Sequence, residues 1–136
     1  MEQGTIPEFV VIDDDLLNNI ICEKIIQYTI PGAEVQTFNE PEKALEYIQS
    51  AYSGIQAKQA VLFLDINMPS LTGWEVLDRL KKFPDLITEH LKIFMLSSSV
   101  DPKDEEKAVN NPLVTGYIRK SLSQVKLQTI FPEYAK

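Results

Sequence analysis

Four places in this 136-residue sequence put reactive oxygen or nitrogen directly behind a short strand-like run. Asp13-Asp14-Asp15 follows Phe9–Ile12, Asp65 follows Val61–Leu64, Ser97-Ser98-Ser99 follows Ile93–Leu96, and Lys120 closes Thr115–Arg119. If folding gathers them, the carboxylates repel one another unless a cation binds or a proton is kept. Oxygen donors with no His or Cys among them suit Mg²⁺ rather than zinc. A lysine and a hydroxyl facing such a site supply the point charge and the hydrogen-bond donor that a phosphoryl group needs. Asp15, immediately before Leu16, reads instead as a helix N-cap. The lone His90 lies in a loop stretch with no nucleophile beside it and reads as a surface residue. Cys22 reads as a small packing residue.

The elements that would position these groups are legible in the spacing. Phe9–Ile12, Val61–Leu64 and Ile93–Leu96 are continuously apolar with no polar face, as expected of parallel strands covered on both sides. Between them, Leu17, Ile20, Ile21, Ile25 and Tyr28 fall on one helical stripe, with Tyr28, like Trp74, expected to pack against the sheet. Pro41 suits a first helical turn and leads into Ala44, Leu45 and Ile48. Val76, Leu77 and Leu80 repeat the pattern after Gly73 until Phe83-Pro84 stops it. Ala33–Phe38 alternates like a half-exposed edge strand, and Thr115–Arg119 is a fifth, short one. Further helices are predicted over Pro102–Val109 and Ser123–Phe131. The order βαβαβαβαβα is that of an open, doubly wound α/β sheet with helices on both faces, where ligands bind beyond the carboxyl ends of the strands.

Composition narrows the partners. A formal net charge of -7 argues against direct nucleic-acid or anionic-membrane binding, since both call for a basic face. The length fits one domain, and the single cysteine fits a reducing compartment. Met1–Glu8 lacks the pattern of a secretory signal, so the expected location is cytoplasmic. No GxGxxG or GxxxxGK[ST] phosphate cradle occurs.

In this order the residues resemble the receiver domain of two-component response regulators. Phe9–Asp15 resembles the acidic first-strand motif. Asp65-Ile66-Asn67-Met68-Pro69, followed by Gly73, resembles the phosphoacceptor motif D-x-x-M-P-x-x-x-G. Phe94–Ser98 resembles the Ser/Thr motif, and Gly116–Lys120 the lysine motif. The resemblance implies one flavodoxin-like domain over residues 1–136, core about 8–131, with sheet order 2-1-3-4-5. It implies that Asp65 accepts a phosphoryl group from a phosphohistidine of a sensor histidine kinase or phosphotransfer protein. It further implies Mg²⁺ held by Asp14, Asp65 and the backbone carbonyl of Asn67, with Asp13 acting through water. Ser97 and Lys120 would hold the phosphate, and Ser97 and Tyr117 would form the switch. Such a domain is a signalling phosphoacceptor rather than an enzyme. Its expected output face is Pro102–Val109, the strand at Tyr117 and the last helix, turned toward a protein target.

Ser121 stands where the family usually has proline, which leaves the isomer of the turn after Lys120 open. Three consecutive aspartates leave the register of the acidic pair open by one; placing Phe9–Ile12 as the strand selects Asp13-Asp14. With only residues 121–136 after Lys120, the expectation is a stand-alone receiver. Asp13-x-Asp15 also resembles the nucleophile motif of haloacid-dehalogenase-type phosphatases, but no later acidic motif and no room for a cap domain accompany it. A receiver-shaped interaction module without phosphorylation is the third reading.

Overall fold

All six residues of Ala60–Asp65 are buried. A strand with no solvent face has to be flanked by neighbours and covered above and below. The computed structural model, which describes residues 5–54 and 58–135, places this strand (β3) at the centre of a five-stranded parallel sheet. In chain order the described elements are β1 (Glu8–Ile12), α1 (Leu16–Thr29), β2 (Val35–Phe38), α2 (Pro41–Ala51), β3, α3 (Gly73–Leu80), α4 (Asp85–Thr88), β4 (Leu91–Ser97), α5 (Pro102–Val109), β5 (Val114–Arg119) and α6 (Gln124–Ile130). The strand order is β2-β1-β3-β4-β5, the expected flavodoxin-like arrangement, with β2 and β5 at the edges. The loop expected over Ser53–Gln59 falls partly outside the described residues.

Each face of the sheet has its own core. On one, Val10, Ile12, Leu62, Leu64 and Met95 meet Ile48 of α2, Leu77 of α3, Ile87 of α4 and Ala108 of α5. On the other, Phe9, Val11, Phe63 and Leu96 meet Cys22 and Ile26 of α1 and Leu127 of α6. There Phe131 packs edge-on against both Phe9 and Phe94, with centroids 5.7 Å apart in each pair. Aromatic rings favour this geometry, and it ties the end of α6 to two strands, β1 and β4. Among the described residues no helix is long and apolar enough to cross a membrane.

Three expectations are corrected. The stripe on α1 does not face the core: Leu17, Ile20, Ile21 and Tyr28 are exposed, Ile25 is half-buried, and Asn19, Cys22, Ile26 and Thr29 are buried. The cause is polar. Asn19 Nδ2 donates to the carbonyls of Asp13 (2.9 Å) and Phe38 (3.4 Å), which turns the Asn19–Cys22–Ile26 face inward. Buried carbonyls at strand ends need donors, and this amide supplies them. Trp74 is half-buried against the core, as expected, whereas Tyr28 is not. The third correction is His90. A short helix, α4, follows Phe83-Pro84, and His90 is buried at its end, donating from Nδ1 to Leu86 O at 2.7 Å.

The inverted helix has a measurable consequence. Leu17→Gln on the exposed face should change stability by no more than about 0.5 kcal/mol, while Ile26→Ala should cost about 2–5 kcal/mol. Urea unfolding of the two variants checks this; the reverse ranking would place the stripe in the core.

Candidate functional site

Register alone delivers the reactive groups to one rim. Ile12 pairs with Leu64, Asp65 with Leu96, and Ser97 with Arg119, so Asp13, Asp65, Ser97 and Lys120 emerge side by side at the carboxyl ends of β1, β3, β4 and β5. Asp14 joins them: carboxylate oxygens of Asp13, Asp14 and Asp65 lie within 4.8 Å of one another. Asp13 and Asp65 are buried, whereas Asp14 is exposed. The register chosen from the sequence, Asp13-Asp14 as the acidic pair, is thus the one that meets Asp65. Asp15 is the N-cap of α1, accepting from Leu17 N (2.9 Å) and Asn18 N (3.3 Å).

Lys120 binds the acids together. Its Nζ lies 2.8 Å from Asp13 Oδ2 and 3.3 Å from Asp65 Oδ1. Its backbone N donates to Ser97 O at 2.9 Å, which joins β5 to β4 at the rim. The Lys120–Ser121 peptide bond is cis. Asp65 Oδ1 also accepts from Asn67 N at 3.4 Å. Ser97 is fully buried, and its Oγ accepts from Ser99 N at 2.9 Å. Tyr117 is half-buried on β5 against the α2–α5 core.

Three carboxylates face one ammonium here, and the electrostatics register the excess. Burial first, then the Asp13 charge, pushes the Asp65 carboxyl up to about 6, against the pull of Lys120 and the Asn67 N–H. Burial works against the charge on Lys120. The hydrogen bond to Asp13 and the charges of Asp65 and Asp13 outweigh it, so the ammonium holds its proton more tightly than an ordinary lysine. Burial and Asp13 likewise push the Cys22 thiol up to about 11, which keeps it unreactive. A hard divalent cation suits such a donor set: oxygen atoms only, close together, with surplus negative charge. The residues therefore fit Mg²⁺, with Asp13, Asp14 and Asp65 as the acids that would hold it.

Asn18 was not singled out in the sequence. It donates from Nδ2 to Asp13 Oδ2 at 2.6 Å, alongside Lys120. The available signal was two asparagines, Asn18-Asn19, within the otherwise apolar first half of a helix that starts beside the acids.

Comparison with known proteins identifies the fold and the family. A two-component response regulator from Cytophaga hutchinsonii has the same fold, with a TM-score of 0.84 and 28% identity, covering 96% of this chain and 97% of that one. Stress response regulator protein 1 of Scheffersomyces stipitis is 29% identical over 76 residues, 56% of this chain and 24% of that protein. The two-component response regulator ARR15 of Arabidopsis thaliana is 26% identical over 100 residues, 70% of this chain and 47% of that protein. The chain thus spans less than half the length of these two curated relatives. The response regulator receiver domain family matches residues 9–131, from the first residue of the β1 apolar run to the phenylalanine that caps α6. With all four rim motifs inside that span, the chain belongs to the response regulator receiver domain family of two-component signalling.

Proposed function

We propose that Asp65 accepts a phosphoryl group from a phosphohistidine on a histidine kinase or phosphotransfer protein, in a reaction that requires Mg²⁺. The observation that carries this reading is the contrast between the two buried acids. Asp13 has both oxygens engaged, Oδ1 by Asp15 N and Oδ2 by Lys120 and Asn18. Asp65 takes its donors on Oδ1, and among the described residues no hydrogen-bond donor reaches Oδ2. The free oxygen belongs to the nucleophile. The same contrast disfavours a phosphatase acting through Asp13.

Asp65 Oδ2 forms the new O–P bond while the P–N bond to the donor imidazole breaks. The electron pair of that bond returns to the ring nitrogen, and the imidazole departs neutral if its other nitrogen carries a proton. Mg²⁺, when bound, offsets the charge of the acids and of the incoming phosphoryl oxygens. Lys120 pairs with a phosphoryl oxygen from its place beside Asp65, and Ser97 donates its hydroxyl proton to another while still accepting from Ser99 N. The backbone carbonyl of Asn67 would complete the ligand set of the metal. The product adds about -1.5 to -2 of charge at the rim. Drawing Ser97 toward it biases the β4–α5 loop, Tyr117 and α6, a local change read by a protein target at a distant face. A donor must cover the rim, and α1, which starts directly after the acids, carries the exposed Leu17, Ile20 and Ile21, so that apolar stripe is the seat for the donor's body. The domain works in the cytoplasm as a signalling acceptor, with hydrolysis of its own acyl phosphate as the reset.

The test is peptide mapping by mass spectrometry after incubation with a small-molecule acyl phosphate, with and without Mg²⁺. One phosphoryl group on Asp65, absent in EDTA, is expected. Modification at Asp13 would favour the phosphatase, and no modification at all would leave a non-phosphorylated interaction module.

A further inference from the structure

We propose that Asn18 is a positioning residue of the acidic pocket, holding the Asp13 carboxylate in place by an uncharged hydrogen bond while Lys120 exchanges partners. The inference rests on the reading of the rim as a Mg²⁺-dependent phosphoacceptor site. Asp13 Oδ2 has two side-chain donors, Lys120 Nζ at 2.8 Å and Asn18 Nδ2 at 2.6 Å. They differ in two respects that matter.

The first is charge. Lys120 repels a divalent cation entering beside Asp13, whereas an amide fixes the same oxygen with no net charge of its own. The second is constancy. Lys120 sits between Asp13 and Asp65, and a phosphoryl group on Asp65 competes for its ammonium. Asn18 belongs to the first turn of α1, where its backbone N is itself fixed by the Asp15 cap at 3.3 Å. Its amide also reaches Cys22 Sγ, a weak acceptor, at 3.7 Å. Helix cap and neighbouring sulfur thus hold it in place independently of Lys120. When Lys120 turns away, Asn18 is the side chain that keeps Asp13 Oδ2 from swinging. Outer-shell groups that orient an acid in this way typically affect metal affinity about 10–100-fold.

Isothermal titration of the full chain with Mg²⁺ tests this, using Asn18→Ala, Asn18→Leu and Asn18→Gln. Both donorless variants should bind Mg²⁺ about tenfold more weakly than the parent. Asn18→Gln, which keeps the amide on a longer arm, should recover most of the loss. Leu preserves side-chain bulk, so it keeps the experiment decisive if the Ala variant fails to fold. A purely structural role would lower the metal-free thermal midpoint and leave Mg²⁺ affinity untouched; that result, or parent-like binding by both donorless variants, overturns the inference alone. A parent chain that binds no Mg²⁺ overturns the underlying reading and this inference together.

Discussion

Asp65→Asn should yield a chain that takes up no phosphoryl group and yet resists denaturant better than the parent at pH 7 without metal. The loss of uptake follows from removing the nucleophilic oxygen. The gain follows from what it costs to keep Asp65 ionised in the fold. Its carboxyl is pushed from 3.8 to about 6, first by burial and then by Asp13. A folded-state value above the unfolded one means that, between about pH 4 and 6, the folded chain holds a proton that the unfolded chain releases. Stability therefore falls as pH rises through that window, and at pH 7 the whole penalty is in force. A shift of this size corresponds to about 3 kcal/mol, and residual contacts in the unfolded chain reduce what is measured. Asn keeps the shape without the charge, so an increase of about 1–3 kcal/mol is expected by urea unfolding. The variant should also lose the decline between pH 4 and 7 that is expected of the parent. Mg²⁺ should reverse the ranking, because a ligand that binds only the folded parent stabilises it in proportion to its saturation. A variant less stable than the parent at pH 7, or one that still accepts phosphate, contradicts the assignment of Asp65.

That trade between stability and chemistry explains which parts of the molecule were legible in the sequence. The strands were, because Val61–Leu64 and its two counterparts have no polar face and admit one environment. The rim followed from them, since each run ends in an acid, a hydroxyl or an amine that must emerge where the strand stops. The face of α1 was not legible. Its apolar residues, from Leu16 to Tyr28, make two competing stripes, and counting hydrophobes selects the larger. The fold selects the other, because Asn19 satisfies two strand-end carbonyls and carries Cys22 and Ile26 inward with it. A polar residue inverted a hydrophobic rule, and the surplus apolar stripe was left outside beside the acids. His90 shows the same weakness: α4 is one turn long, too short for any periodicity, and the side-chain bond of the buried His90 goes back to Leu86 O within that turn. Asn18 was invisible for a related reason, since its partner lies five positions back, across a helix cap.

Gly73→Ala should be among the most damaging single-methyl additions in the chain, and it should damage the site as well as the fold. Gly73 opens α3, whose N-cap Thr72 forms a capping box with Glu75, and its N–H donates to Ile66 O at 2.8 Å. The start of this helix therefore lies directly against the segment that carries the phosphoacceptor. A Cβ at position 73 would stand 2.5 Å from the backbone oxygen of Asp65 and 3.0 Å from Ile66 Cα and Met95 Cε. The glycine is required here for space, since its φ is not in the left-handed region. Met95 can turn aside, but the backbone of Asp65 cannot move without shifting its carboxylate relative to Lys120. Overpacking of this kind typically costs about 1–3 kcal/mol, and a clash with backbone belongs at the upper end. Any gain in helix propensity is at most about 1 kcal/mol. The expected result is a net loss of about 2 kcal/mol in urea unfolding, with slower phosphoryl uptake per folded molecule. Gly54→Ala, where an added Cβ meets nothing within 4 Å, is the matched control and should change stability by no more than about 0.5 kcal/mol. If Gly73→Ala retains both the parent's midpoint and its uptake rate, the close seating of α3 on the phosphoacceptor strand is not what positions Asp65.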